Sequence, residues 1–152
     1  MGIQAGGEPS GLCRSCEWGR RAGMGEVLLV GAGGFVGAVG RYLLGLVPFA
    51  GDFPLMTFLV NFLGAVAIGA VAEAANGPAP LPTEAALFLK TGVCGGFTTF
   101  SAFSLETLAL LEEGRAALGA LYAGGSVVAC VIGVAVGRSV LRAAMSAASA
   151  SA

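Results

Sequence analysis

The chain has 152 residues, room for one ordinary domain, and 56% of them are apolar, with glycine supplying 26 more. Charged residues make up 11%, against about 25% in a soluble domain. Histidine is absent and the formal net charge is −1, so histidine catalysis, histidine metal ligands, a nucleic-acid partner and intrinsic disorder are all ruled out.

The placement of the charges points to a membrane. Of the 17, six lie in residues 1–26, five in 112–152, and the 85 residues between hold only Arg41, Asp52, Glu73, Glu84, Lys90 and Glu106. A bilayer-spanning helix needs about 20 mostly apolar residues. Four segments qualify: 27–47, interrupted only by Arg41; 53–72, without a charge; 85–111, longer than a simple span; and 116–137, again without a charge. Two uncharged windows of this length leave no wet face for a soluble helical core. The expected fold is therefore an all-α membrane protein with four transmembrane helices.

In chain order, residues 1–23 stand apart, with Cys13-Arg14-Ser15-Cys16 and the chain's only Trp. One Cys-x-x-Cys does not close a tetrahedral zinc site, and the segment is expected to be an unstructured N-terminal extension. Residues 24–142 form the expected four-helix domain. Pro48 and Pro54 bracket the first link, and three prolines stop the chain between Asn76 and Thr83-Glu84, which start the third span. Glu112-Glu113-Gly114-Arg115 makes the third turn. The Ala/Ser-rich residues 143–152 are expected to form a flexible, frayed tail.

With four spans, both termini share a side with the second link. That side carries Arg138 and Arg142, with Lys90 close to it, and the other carries Arg41 and Arg115, so the positive-inside bias is about nil. Insertion in both orientations, with an antiparallel homodimer as its consequence, and insertion one way with weak bias are equally compatible with this count. Including Arg14, Arg20 and Arg21 of the extension restores a bias.

Span one opens like a strand entering a glycine-rich dinucleotide turn, Gly31-Ala32-Gly33-Gly34-Phe35-Val36-Gly37, with Asp52 where a ribose-binding acid would sit. No further strands alternate with helices afterwards, and Asp52 falls in a proline-flanked turn. Gly33 and Gly37 instead have the i, i+4 spacing by which membrane helices approach closely, and Gly133 and Gly137 repeat it in span four.

Polar groups at bilayer depth are costly unless they face a partner or a water-filled path. Asn61 lies in the middle of span two, with Thr57 one turn earlier on the same face, and Tyr122, Ser126 and Cys130 form an i, i+4, i+8 stripe on span four. Interhelical hydrogen-bonding is the plain alternative for such groups, and a pore or substrate track accounts better for the whole set. In span three, Gly95-Gly96 invites a helix broken at mid-membrane, with freed carbonyls satisfied inside the protein or by a cation. Thr98-Thr99 are cap candidates for the half-helix that follows, and Phe100 and Phe103 share one of its faces.

Three blocks in order now carry a family likeness: Gly33-Gly34-x-x-Gly37-Ala38-x-x-x-Arg41-Tyr42, then Thr57-x-x-x-Asn61-x-x-Gly64, then Gly92-x-x-Gly95-Gly96-Phe97-Thr98-Thr99-Phe100-Ser101-x-Phe103-Ser104-x-Glu106. With these in register, residues 25–138 resemble the Fluc/CrcB fluoride channels. The resemblance implies passive, fluoride-selective efflux across the cell membrane, lowering cytoplasmic fluoride, with no enzymatic step. It further implies a dual-topology antiparallel homodimer with two pores and a structural Na+ at its centre, held by the backbone carbonyls of Gly95 and Thr98. By the same likeness Phe100 and Phe103 line the pore, Asn61 donates its amide to the ion, Tyr122, Ser126 and Cys130 fall on a polar track, and Arg41 sits at a vestibule. Cys130 stands where the family often has a hydroxyl, and the N-terminal extension has no counterpart there.

The chemistry of these residues suits a small, tightly hydrated anion. Asn61, Ser126 and Thr57 donate hydrogen bonds, phenyl edges are positive, and a carboxylate lining would repel the ion. The alternative from another class is a small dual-topology proton-coupled exporter using Glu106, although that acid lies near the end of span three rather than deep within it.

Overall fold

The computed structural model of the chain describes residues 23–49, 51–78 and 80–150, so the expected extension, Gly23 aside, lies outside the described residues. The elements are α1 (Met24–Gly45), α2 (Leu55–Asn76), α3 (Thr83–Leu87), a π-helical stretch (Phe88–Cys94), α4 (Gly95–Phe97), α5 (Phe100–Glu112) and α6 (Ala116–Ala150). Among the described residues, four helical stretches are long and apolar enough to cross a membrane: Met24–Gly45, Leu55–Asn76, Thr83–Glu112 and Ala116–Ser149. Large apolar side chains such as Leu28, Phe35, Leu121 and Val131 point outward, more than half exposed, as lipid-facing residues do. The chain is a multi-pass membrane protein.

Pro54 and Pro82 immediately precede α2 and α3, where a missing N–H costs nothing. Between α5 and α6 the chain turns at Gly114, whose φ of 75° disfavours any residue with a Cβ. Arg115 N–H then closes on the Leu110 carbonyl at 2.9 Å. The tail departs from expectation. α6 runs past Arg142 to Ala150 without interruption, because an alanine-rich segment has the highest helix propensity and nothing in it breaks a helix. At about 1.5 Å per residue the helix is roughly 50 Å long and outreaches the bilayer core. Its projecting turns are anchored to α2: Arg138 Nε lies 3.1 Å from Glu73 Oε2, Arg142 Nε 2.8 Å from Glu73 Oε1. At the opposite end Arg115 pairs with Asp52 at 2.7 Å.

The third span is divided between two neighbours. α1 packs along its first half, the π-helical stretch and α4, whereas α5 leans on α6, and α2 has its most extensive contact with α6 while touching both halves. Glycines make these approaches possible. A Cβ on Gly33 would lie 2.6 Å from the Phe88 carbonyl oxygen, and one on Gly37 would overlap the Val93 oxygen. On the other side, Gly137 and Gly69 meet the carbonyl oxygens of Val66 and Val134 in the same way. The expected Gly33/Gly37 and Gly133/Gly137 faces are thus the helix-packing faces.

Because a backbone oxygen cannot swing aside, Gly37→Ala is expected to cost about 1–3 kcal/mol, seen as a lower thermal unfolding midpoint in detergent. Gly31→Ala, which meets nothing within 4 Å, is the control and should stay within about 0.5 kcal/mol of the parent.

Candidate functional site: a cavity at the helix break

The break in span three lies at Thr98-Thr99, not at Gly95-Gly96. The glycines remain helical, and the chain turns extended only at Thr98 (φ −78°, ψ 155°) and Thr99 (φ −145°, ψ 115°). Gly96 is there for packing: a Cβ on it would overlap the Gly34 carbonyl oxygen of α1. What opens the backbone is a side chain from α2. Asn61 Oδ1 accepts from Thr99 N–H at 2.8 Å, and Asn61 Nδ2 donates to the Thr99 carbonyl at 3.0 Å. Thr99 then caps α5, its Oγ1 accepting from Ala102 N–H at 3.1 Å.

These bonds have a consequence for the carbonyls upstream. In an unbroken helix, Thr99 N–H would close on Gly95 and Ala102 N–H on Thr98. Both donors are engaged elsewhere, by Asn61 and by Thr99 Oγ1. The Gly96 carbonyl between them receives Arg41 Nε at 3.3 Å. The oxygens of Gly95 and Thr98 are therefore freed acceptors, the hard donor type that suits Na+. Gly95 also faces open space, with no atom within 4 Å of where its Cβ would be.

Beside the break lies a cavity of about 410 Å³. Of the ten residues singled out in the sequence, Asn61, Gly95, Thr98, Phe100, Phe103, Ser126 and Cys130 all line it. The Phe100 and Phe103 ring centroids are 5.4 Å apart, and Phe100 is 77% exposed, held by little of its own chain. Ser126 is buried and its Oγ has no hydrogen-bond partner among the described residues. Asn61 keeps one of its two amide N–H groups unengaged by Thr99.

Thr57, Tyr122 and Arg41 lie outside this cavity. Thr57 Oγ1 donates to Glu106 Oε1 at 2.6 Å, and the fully buried Tyr122 donates to Glu106 Oε2 at 2.7 Å. Each hydroxyl has a single hydrogen, so both donors are taken by the carboxylate. Glu106 and Thr57 line a second, open cavity of about 360 Å³, together with residues of the first loop such as Pro48, Phe49 and Phe53. A lining without carboxylate thus describes the first cavity only. The Phe103 and Tyr122 rings meet at a tilt with centroids 5.3 Å apart, and Tyr122 meets Phe53 edge to face at 5.4 Å, so an aromatic row runs from the break towards the loop end. Phe53 was not singled out from sequence, and its position in a turn held no signal for it. Glu106 was readable as the only acid within the span's apolar stretch, and its partners were not.

Asn61→Ala leaves the Thr99 N–H unpaired and takes from its carbonyl the second donor, beside the first intrahelical bond of α5. A loss of about 2–5 kcal/mol is expected in detergent thermal unfolding. Thr99→Val, which removes only the cap, should lose about 1 kcal/mol. A reversed order would mean that the cap, not Asn61, holds the break.

The profile of the family described as CrcB-like protein, Camphor Resistance (CrcB), matches residues 28–138. Among relatives, the fluoride-specific ion channel FluC of Chlorobaculum tepidum is 53% identical over 105 residues, 68% of this chain and 83% of that protein. The fluoride-specific ion channel FluC of Prosthecochloris aestuarii is 47% identical over 118 residues, covering 76% and 92%. That of the more distant Methanocaldococcus jannaschii is 45% identical over 117 residues, covering 74% and 91%. The break, the glycine faces and the cavity all fall inside the matched region, and the chain belongs to the CrcB family.

Proposed function

We propose that the chain is a passive fluoride-selective channel of the cell membrane that lets fluoride leave the cytoplasm. The observation that carries this reading is the cavity at the break, lined by the Phe100 and Phe103 rings and uncharged donors and by no carboxylate, in a chain whose relatives bear the name fluoride-specific ion channel. A small anion gives up its water only where donors replace it. Among the described residues the Ser126 hydroxyl has no competing acceptor, and Asn61 has an N–H that Thr99 does not use. The positive edges of Phe100 and Phe103 contribute attraction without a fixed charge that would trap the ion. Arg41, on the Gly96 carbonyl, adds a positive group beside the break.

The working unit in this reading is an antiparallel homodimer. Gly95 and Thr98 of each copy would hold a structural Na+ through their freed carbonyls, which supplies central positive charge and joins the copies. Support comes from the open face at Gly95, from the acceptors left without donors, and from the outward Phe100 ring.

Fluoride efflux from proteoliposomes tests the corridor. Phe100→Ile, at an exposed ring that the monomer fold does not need, is expected to lower efflux at least about tenfold with an unchanged unfolding midpoint. Asn61→Asp should also abolish it. Glu106→Gln should leave the flux independent of a proton gradient; efflux driven by that gradient in the parent and lost in Glu106→Gln would establish the exporter instead. Robust flux in both Phe100→Ile and Asn61→Asp would refute the corridor.

Dual insertion is read separately. A reporter on the C-terminus of the 24–152 segment is expected on both sides of the membrane in comparable amounts, because the arginines at the two ends balance. A reporter found on one side alone would remove the antiparallel dimer.

A further inference from the structure

The three polar residues on one face of α6 occupy different states. Tyr122 is fully buried and bonded to Glu106. Ser126, 4% exposed, has an Oγ without a partner among the described residues and lines the main cavity. Cys130, one turn further on, is a free, half-buried thiol lining the same cavity as Ser126, Phe100 and Phe103. Sulfur is a poor hydrogen-bond donor and a strong ligand for soft metals. A hydroxyl oxygen with both lone pairs free stands one helical turn away as a second neighbour for such a metal.

Cys94 also lines the cavity, but it is 5% exposed and on the far wall. No Cα of the π-helical stretch comes within 8 Å of one in α6, beyond the span of about 4.4–6.8 Å that a disulfide bridges. The two thiols are therefore not a redox pair. Cys130 is the reachable one.

We propose that Cys130 is a modification site for thiophilic soft metals, and that a metal bound there closes the corridor. The proposal rests on the fluoride-channel reading. With mercuric chloride as the probe, the Cys130 S–H bond and one Hg–Cl bond break, an S–Hg bond forms, and a proton and a chloride leave to water with no change of oxidation state. Mercuric chloride is uncharged, so it reaches a cavity at membrane depth without carrying charge into the bilayer. The bound metal and its remaining chloride then project among Ser126, Phe100 and Phe103.

The test uses the full chain with Cys13→Ser and Cys16→Ser, reconstituted in fluoride-loaded liposomes. Efflux is followed before mercuric chloride, after it, and after excess thiol, while peptide mass spectrometry locates the metal. Expected is mercury on Cys130, a fall in efflux of at least about tenfold, and recovery with thiol. Cys94→Ser should remain sensitive, and Cys130→Ser should keep its own untreated efflux when mercury is added. Block that persists in Cys130→Ser, mercury on Cys130 with unchanged efflux, or no mercury on Cys130 each overturns the proposal. Failure of the channel reading looks different: the untreated chain would pass no fluoride, whatever mercury does at Cys130.

Discussion

A polypeptide can leave the helical conformation inside a bilayer only where every freed backbone group finds a partner within the protein. In this chain one side chain meets that condition for Thr99, and leaves the Gly95 and Thr98 carbonyls as acceptors still to be satisfied. Asn61 pairs with both the N–H and the carbonyl of Thr99, imitating the two-sided bonding that a neighbouring strand would give. With Thr99 held, its hydroxyl is placed to cap α5. The same bonds withdraw the donors that Gly95 and Thr98 would otherwise have used. The break, the half-helix and the exposed acceptors are one arrangement, and removing Asn61 undoes all three.

The glycine contacts explain why the break lies where α2 can reach it. α1 approaches the first half of span three so closely that backbone meets backbone at Gly33, Gly37 and Gly96. α6 and α2 are joined as tightly through Gly69 and Gly137. Span three must satisfy both neighbours, and a straight helix along α1 could not also lean on α6. Thr98 sits at the change of partner, its Cγ2 pressed against the bare backbone of Gly64. The cavity is the space this redirection opens between the end of α4, the start of α5 and the polar stripe of α6.

What could be read in the sequence was local in kind. Four spans, the three turns, the packing role of Gly33/Gly37 and Gly133/Gly137, and Thr99 as a cap all follow from periods and propensities within a few residues. The position of the break did not, since it depends on Asn61, 38 residues away; glycine permits a bend but does not require one. For the same reason the sequence offers Thr57 as a donor and Tyr122 as part of a polar stripe without showing that both hydroxyls meet Glu106, at separations of 49 and 16 residues. The π-helical register of Phe88–Cys94 has no propensity signature at all. The end of α6 was misread because serine suggested fraying, while alanine propensity and the Glu73 clamp on Arg138 and Arg142 favour helix.

A carboxylate beside an anion corridor looks contradictory, and the hydroxyl geometry resolves it. Glu106 accepts from two O–H donors, Thr57 at 2.6 Å and Tyr122 at 2.7 Å. Were the Thr57 hydroxyl free, it would add an unopposed donor to the second cavity, and fluoride, a strong acceptor, would be held more firmly there. With the carboxylate as rival acceptor, any bond that fluoride gains from Thr57 or Tyr122 costs Glu106 one of its own. On the proposed function these donors are weakened for the ion to about the difference between two acceptors, while the rings and Ser126 near the break, whose hydroxyl has no partner among the described residues, would offset the repulsion. In that reading Glu106 lies beside the corridor, in the second cavity, as the group that keeps the hydroxyls there from holding the ion firmly.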